Sequence, residues 1–203
     1  MDCICRKCGE HHEVEFPQSV NASESPQLKA AVRDGSLFLW ECPYCGTRNL
    51  VTGQFLYHDP SARLMVWLLP GNQEPPSSVN QALSGLDGYS LRLVRETGDL
   101  IEKVNIAEAS LDDLTVEVCK WVTRQELQAK NPEMASAALR FLRTEGADND
   151  LVFAFPHGGN MNLVNVGFNV YEDAAGILSR NPSLRPGSGF ASIDAAWVSR
   201  HFR

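Results

Sequence analysis

No stretch of this 203-residue sequence is apolar for long enough to cross a bilayer as a helix. The longest apolar run, residues 64–69, falls far short of the about 20 residues such a helix needs. Basic charge is also scarce. Lys and Arg number 18 against 25 Asp and Glu, a formal net charge of -7, the reverse of what a phosphate-binding surface requires. The deficit is local: residues 1–120 carry 10 basic and 17 acidic side chains, whereas residues 121–203 carry 8 of each. The expectation is therefore no membrane partner and no nucleic-acid partner. A secretory signal is missing from the start, where Asp2, Arg6, Lys7 and Glu10 interrupt any apolar segment, so the expected location is the cytoplasm. Catalytic signatures are missing as well: there is no Walker lysine, G-x-G-x-x-G, G-x-S-x-G or H-E-x-x-H. What remains is ordinary. With 43% hydrophobic and 21% charged residues, the chain can bury a core, and wholesale disorder is excluded.

Against that background the cysteines stand out. Five of six lie in the first 45 residues, at Cys3, Cys5, Cys8, Cys42 and Cys45, with Cys119 apart. Cys5-Arg6-Lys7-Cys8-Gly9 and Cys42-Pro43-Tyr44-Cys45-Gly46 share one pattern, C-x-x-C followed by Gly. Two intervening residues let both sulfurs face one point across a tight turn, and the glycine permits the positive φ that turns backbone N–H groups toward sulfur. Two such knuckles offer four tetrahedral ligands, the zinc-ribbon arrangement, so the expected cofactor is a structural Zn²⁺ held by Cys5, Cys8, Cys42 and Cys45. A [4Fe–4S] cluster or a rubredoxin-like iron is the alternative. Cys3 can substitute for Cys5, and His11 or His12 can act as a further ligand. Cys119 falls in a helical pattern and reads as a small buried hydrophobe.

The periodicity predicts an α+β fold. Short strands are expected at residues 12–16, 37–41, 48–57 and 63–69, forming a zinc-ribbon-like antiparallel sheet, with a helix over 27–34 that starts at Ser25-Pro26 and closes at Gly35. Asp59-Pro60-Ser61 reads as a turn. A strand follows around Leu91 and Val94, then a helix from about Thr97, and a second helix begun by a Ser110–Asp113 capping box and broken at Asn131-Pro132. Residues 135–144 fit a helix through Ala135, Ala138, Leu139 and Leu142 or a strand through Leu139 and Phe141; read as a strand, they form a three-stranded meander with 151–155 and 161–168. Closing helices are expected with Asn169 and Ser192 as caps. The expected organisation is a zinc-ribbon region over 1–70, a helical part over 71–130 and an α+β region over 131–203.

The knuckle pair, the phrase Leu56-Tyr57-His58-Asp59-Pro60, the apolar strand with Trp67, and then Leu100-Ile101-Glu102-Lys103 and Leu111-Asp112-Asp113 together resemble the bacterial and archaeal CpXC family over about residues 1–120. The resemblance implies the metal site and the fold, and carries no biochemical role. One departure is Arg6, which stands where the family name implies a proline, while Pro43 keeps the pattern; loss of that stiffening is expected to loosen the first knuckle.

Among other candidates, His58-Asp59 is the most enzyme-like pair, but adjacent strand residues point to opposite faces, and Asp59 reads as a turn initiator. Asp112-Asp113 reads as helix capping and Glu102-Lys103 as surface helix charge. His157-Gly158-Gly159-Asn160 reads as a hairpin turn. Trp40, Trp67, Trp121 and Trp197 fall on different elements and read as packing. A closed four-thiolate site without a coherent catalytic set points to a macromolecular interaction or scaffold protein with a protein partner. Homodimerisation through an unpaired strand edge is a further expectation. The alternatives are an enzyme with a cleft near His58 and Asp59, and a nucleic-acid-associated zinc ribbon.

Overall fold

The computed structural model describes residues 1–51, 53–76, 79 and 86–202. The chain divides into two compact units, Met1–Ile101 and Glu102–Arg203. About 36% of it is helical and 27% strand, an α+β fold.

In the first unit, three sheets replace the single antiparallel sheet expected over residues 1–69. Strands β1 (Asp2–Ile4) and β2 (His11–Glu13) form one hairpin, and β4 (Leu39–Glu41) and β5 (Arg48–Leu50) form another. The third sheet is mixed, in the order β3 (Ser19–Asn21), β6 (Phe55–Asp59), β7 (Leu64–Leu68) and β8 (Ser90–Val94). Its central pair is antiparallel and both outer pairs are parallel. The expected strand over 48–57 is thus two strands in different sheets. Buried Asn49 ties the first part to the hairpins, while buried Phe55 and Tyr57 commit the second to an apolar core.

Alternation in β6 and β7 explains that core: Phe55, Tyr57, Leu64, Val66 and Leu68 are buried on one face. Phe16 packs against Phe38 and Phe55 with ring centroids 5.8 and 5.6 Å apart, and Phe38 meets Phe55 edge-on at 5.3 Å. Helix α1 (Pro26–Arg33) begins with proline in its first turn after Ser25. Gly35 takes φ +79° as the chain leaves that helix, a conformation that costs glycine nothing.

In the second unit, β9 (Arg140–Glu145), β10 (Asp150–His157) and β11 (Asn160–Val166) form an antiparallel meander with β10 central. Gly158 and Gly159 close the β10–β11 turn with φ +61° and +76°, the two positive values a type I′ turn requires. Phe141, Leu151, Phe153 and Phe155 from this sheet are buried in one cluster with Leu114 and Val118 of α3 (Asp113–Lys130), Ala174 and Leu178 of α4 (Phe168–Arg180), and Trp197 and Val198 of α5 (Ala195–His201). Cys119 is fully buried in the same cluster, and burial pushes its thiol pKa up to about 12.

Three caps differ from expectation. Ser110 starts no helix; at φ +57° it ends α2 (Thr97–Glu108). The Ser110 N–H donates to Ala107 O at 3.0 Å and the Leu111 N–H to Ile106 O at 3.0 Å, the paired bonds of a Schellman ending. Asp112 is then the N-cap of α3. Gly167, not Asn169, precedes α4. Asp194, not Ser192, caps α5, its carboxylate accepting from the Trp197 N–H at 2.8 Å.

Glu102 and Lys103 were expected on a surface and are both buried. Their partners come from distant positions. Lys120 Nζ lies 3.0 Å from Glu102 Oε2 and 2.8 Å from Glu117 Oε2. The other oxygen of Glu102 accepts from the Phe141 N–H at 2.6 Å. Lys103 Nζ pairs with Asp113 Oδ2 at 3.0 Å and donates to Ile193 O at 2.9 Å. Burial opposes charge on Lys120, but the two carboxylates outweigh it and hold its pKa above the ordinary lysine value; burial also pushes Glu117 up. Such a network is stable only when complete, because removing one partner leaves a buried charge uncompensated. Lys120→Met, which leaves Glu102 and Glu117 facing each other, is therefore expected to cost about 3–5 kcal/mol in chemical denaturation.

Candidate metal centre

Each short hairpin of the first unit ends in a knuckle, and the two knuckles repeat the same backbone bonds. The Gly9 N–H donates to Cys5 O at 2.9 Å, and the Gly46 N–H to Cys42 O at 2.8 Å. The Cys5 N–H donates to Glu10 O at 2.9 Å, and the Cys42 N–H to Thr47 O at 3.0 Å. Gly9 and Gly46 take φ +76° and +65°. The C-x-x-C-G spacing thus produces one conformation twice.

The structure brings the four sulfurs of Cys5, Cys8, Cys42 and Cys45 within 4.8 Å of one another. Cys5 Sγ is 3.6 Å from Cys45 Sγ, and Cys8 Sγ is 3.6 Å from Cys42 Sγ. These contacts cross between knuckles and are far longer than a disulfide bond of about 2.05 Å; all six cysteines are free thiols. A tetrahedral ion with sulfur at about 2.3 Å sets the sulfurs about 3.8 Å apart, so the donor set fits one four-coordinate ion. Crowding divides the acidities. Cys5 is lowered to about 6, chiefly because the Cys8 N–H points at its sulfur. At Cys8 the Glu10 N–H favours the thiolate, but burial and the thiols of Cys5, Cys42 and Cys45 outweigh it and raise the pKa to about 12. Cys45 is lowered, first by the Thr47 hydroxyl and N–H.

One residue that sequence reasoning missed joins the knuckles. Asn49, only 4% exposed, donates from Nδ2 to Cys5 Sγ at 3.6 Å and to Thr47 O at 2.8 Å, and its Oδ1 accepts from the Arg6 N–H at 3.0 Å. A single asparagine four residues beyond a knuckle carries no recognisable spacing, although an amide alternating inward between Arg48 and Leu50 is a weak signal. His12 presents Nε2 3.6 Å from Cys42 Sγ and lies against Trp40 and Tyr44. Cys3 sits across the first hairpin from His12 and lies outside the four-sulfur cluster. His11 Nδ1 lies 3.1 Å from Asp2 Oδ2.

The other candidates are dispersed. Asp59 is buried: Oδ2 contacts Lys29 Nζ at 2.8 Å and Tyr57 Oη at 3.3 Å, while Oδ1 accepts from the Ser61 and Ala62 N–H groups. Burial opposes its charge, but Lys29 and the turn donors prevail and bring its pKa to about 2. His58 lies on the opposite face of β6, half-buried, with Nε2 3.4 Å from Tyr89 Oη. The adjacent pair is thus divided between two faces, and the turn role of Asp59 accounts for one oxygen.

The family model described as CpXC protein matches residues 3–120, more than half of the chain. The chain belongs to the CpXC family. No curated protein and no solved structure matches it. The CpXC region contains both knuckles and extends through α2 into α3, and the two later phrases of the resemblance meet in the buried charge network, through Glu102, Lys103 and Asp113. It also contains Arg6 in place of the proline of the CpXC pattern. That substitution does not leave the first knuckle unsupported, because the Arg6 N–H that binds Asn49 is a donor no proline possesses.

Two outcomes follow. Asn49→Ala removes a donor to sulfur and the bridge between knuckles, and is expected to weaken metal binding about 10–100-fold in a chelator competition titration. Asp59→Asn is expected to lower stability by about 1–3 kcal/mol at pH 7. Because the Asp59 pKa falls from 3.8 to about 2 on folding, its contribution is complete above pH 3.8 and fades as pH drops through 2. The stability gap between the two proteins should therefore close across that window in acid denaturation.

Proposed function

We propose that the chain is a cytoplasmic zinc-ribbon protein whose zinc, held by Cys5, Cys8, Cys42 and Cys45, is structural, and whose role is to bind another protein. The observation that carries this reading is the closed donor set. Four protein sulfurs fill all positions of a tetrahedral ion, leaving none for water or substrate. The 3.6 Å contacts between knuckles favour one ion. A [4Fe–4S] cluster binds each thiolate to a different iron and so holds the sulfurs farther apart. Paired C-x-x-C motifs serve metal binding in reducing compartments. The interaction role draws on the outer side of the hairpins, where Ile4, Tyr44 and the cross-strand pair Leu39 and Leu50 are exposed. A ribbon rigidified by its metal presents these apolar groups at little conformational cost.

Native mass spectrometry of untagged protein purified without added metal tests the metal. The expected result is one zinc per chain for the wild type and none for Cys42→Ser; an iron mass, or a metal-free wild type, overturns the assignment. For the surface, a Leu39→Ser/Tyr44→Ala chain should keep its zinc and lose a protein that copurifies with the wild type from native cells. Retention of that protein by both chains would count against the hairpin face.

A further inference from the structure

The two edges of the second unit's meander are built differently. The β9 edge carries Arg140, Arg143 and Glu145, and its register with β10 shifts between Val152 and Phe153, where Leu142 has no opposite residue. Charges and a bulge are the devices by which natural sheets prevent an edge from pairing with another chain. The β11 edge has neither. Its register with β10 is unbroken over seven residues, and residues 151–171 contain no Asp, Glu, Lys or Arg. It also exposes apolar side chains on one face: Met161 is 68% and Leu163 54% exposed. Among the described residues, no strand pairs with the outer side of β11.

We propose that β11 pairs antiparallel with β11 of a second copy of this chain, about a two-fold axis at Leu163, joining two meanders into one six-stranded sheet. The choice of a second copy rests on the charge-free composition of the strand. Leu163 is the midpoint of the strand, so an axis there pairs all seven residues without overhang: Leu163 with Leu163 of the second copy, Met161 with Asn165, Asn162 with Val164 and Asn160 with Val166. Leu163, 54% exposed, meets its own copy at the axis, with Met161 as its diagonal neighbour across the pair. A two-fold sets each residue of a strand against the same strand, so a charge at the midpoint would face its own like; a charge-free strand is the composition that such pairing demands. Beside the strand lies a cavity of about 210 Å³ with a mixed lining, Val122, Glu126, Leu127 and Lys130 of α3 with Val164 and Val166 of β11. The strand is only about 23 Å long, so the contact is modest in area and belongs with weak, transient associations.

The proposal is independent of the metal site and is tested on the full, metal-loaded chain by sedimentation velocity. Wild type should populate a species of twice 22.4 kDa as concentration rises. Leu163→Lys and Leu163→Glu each place like charges face to face at the axis, and each alone should raise the dissociation constant at least about tenfold. An equimolar mixture of the two should recover the dimer, because Lys then faces Glu; that recovery also shows that both variants are folded. A wild type that stays monomeric at its highest soluble concentration overturns the proposal and leaves the edge to an extended peptide from another protein. A dimer retained by both variants, or a mixture that stays monomeric, places the contact elsewhere and overturns it equally.

Discussion

Four sulfurs within 4.8 Å of one another are the constraint on which the first unit depends. Four thiolates cannot gather so closely without a cation, and as thiols they satisfy little of each other's bonding. The two hairpins that carry them have three-residue strands, too short to persist alone in water. Their buried side chains, Trp40 and Val51 with Cys5 and Cys42, form only a small satellite core. A cation at the centre of the sulfurs would supply the cohesion that packing there does not. Asn49, touching both knuckles, sets the angle at which they meet.

The second unit meets a comparable problem without a metal. Glu102, Glu117 and Lys120 are buried together, and Lys103 is buried against Asp113. Their mutual attraction in a poorly solvated interior offsets desolvation only because backbone groups of Phe141 and Ile193 complete the bonding. An ionic lattice of this kind adds little stability over an apolar core. It does tie the helices together: Lys103 of α2 reaches Asp113 of α3, and Lys120 of α3 reaches Glu102 of α2.

Legibility in the sequence followed the distance over which information had to travel. The knuckles were readable because a C-x-x-C-G turn is decided within five residues, and the meander because alternation and a Gly-Gly turn are local. Glu102 and Lys103 were read as surface charge because helical spacing cannot show that Lys120 and Asp113 come to meet them. The break between Arg48–Leu50 and Phe55–Asp59 was hidden for the same reason: β6 pairs in parallel with β3, more than thirty residues earlier. Caps failed by small offsets, as at Asp194, where Ser192 has the right chemistry and Asp194 the right spacing to the Trp197 N–H.

The order of the chain gives that parallel pair a further meaning. Between β3 and β6 the polypeptide makes a long excursion through α1 and the entire second knuckle before it returns to Ser19–Asn21. Closing so large a loop costs the unfolded chain entropy before any contact rewards it. An ion joining Cys8 to Cys42 would span most of the same excursion and act as a removable cross-link. With the loop already tied at the sulfurs, only short tethers separate Ser19 and Phe55 from the knot. The mixed sheet, which contains no cysteine, would thereby owe its ease of assembly to an ion it never touches.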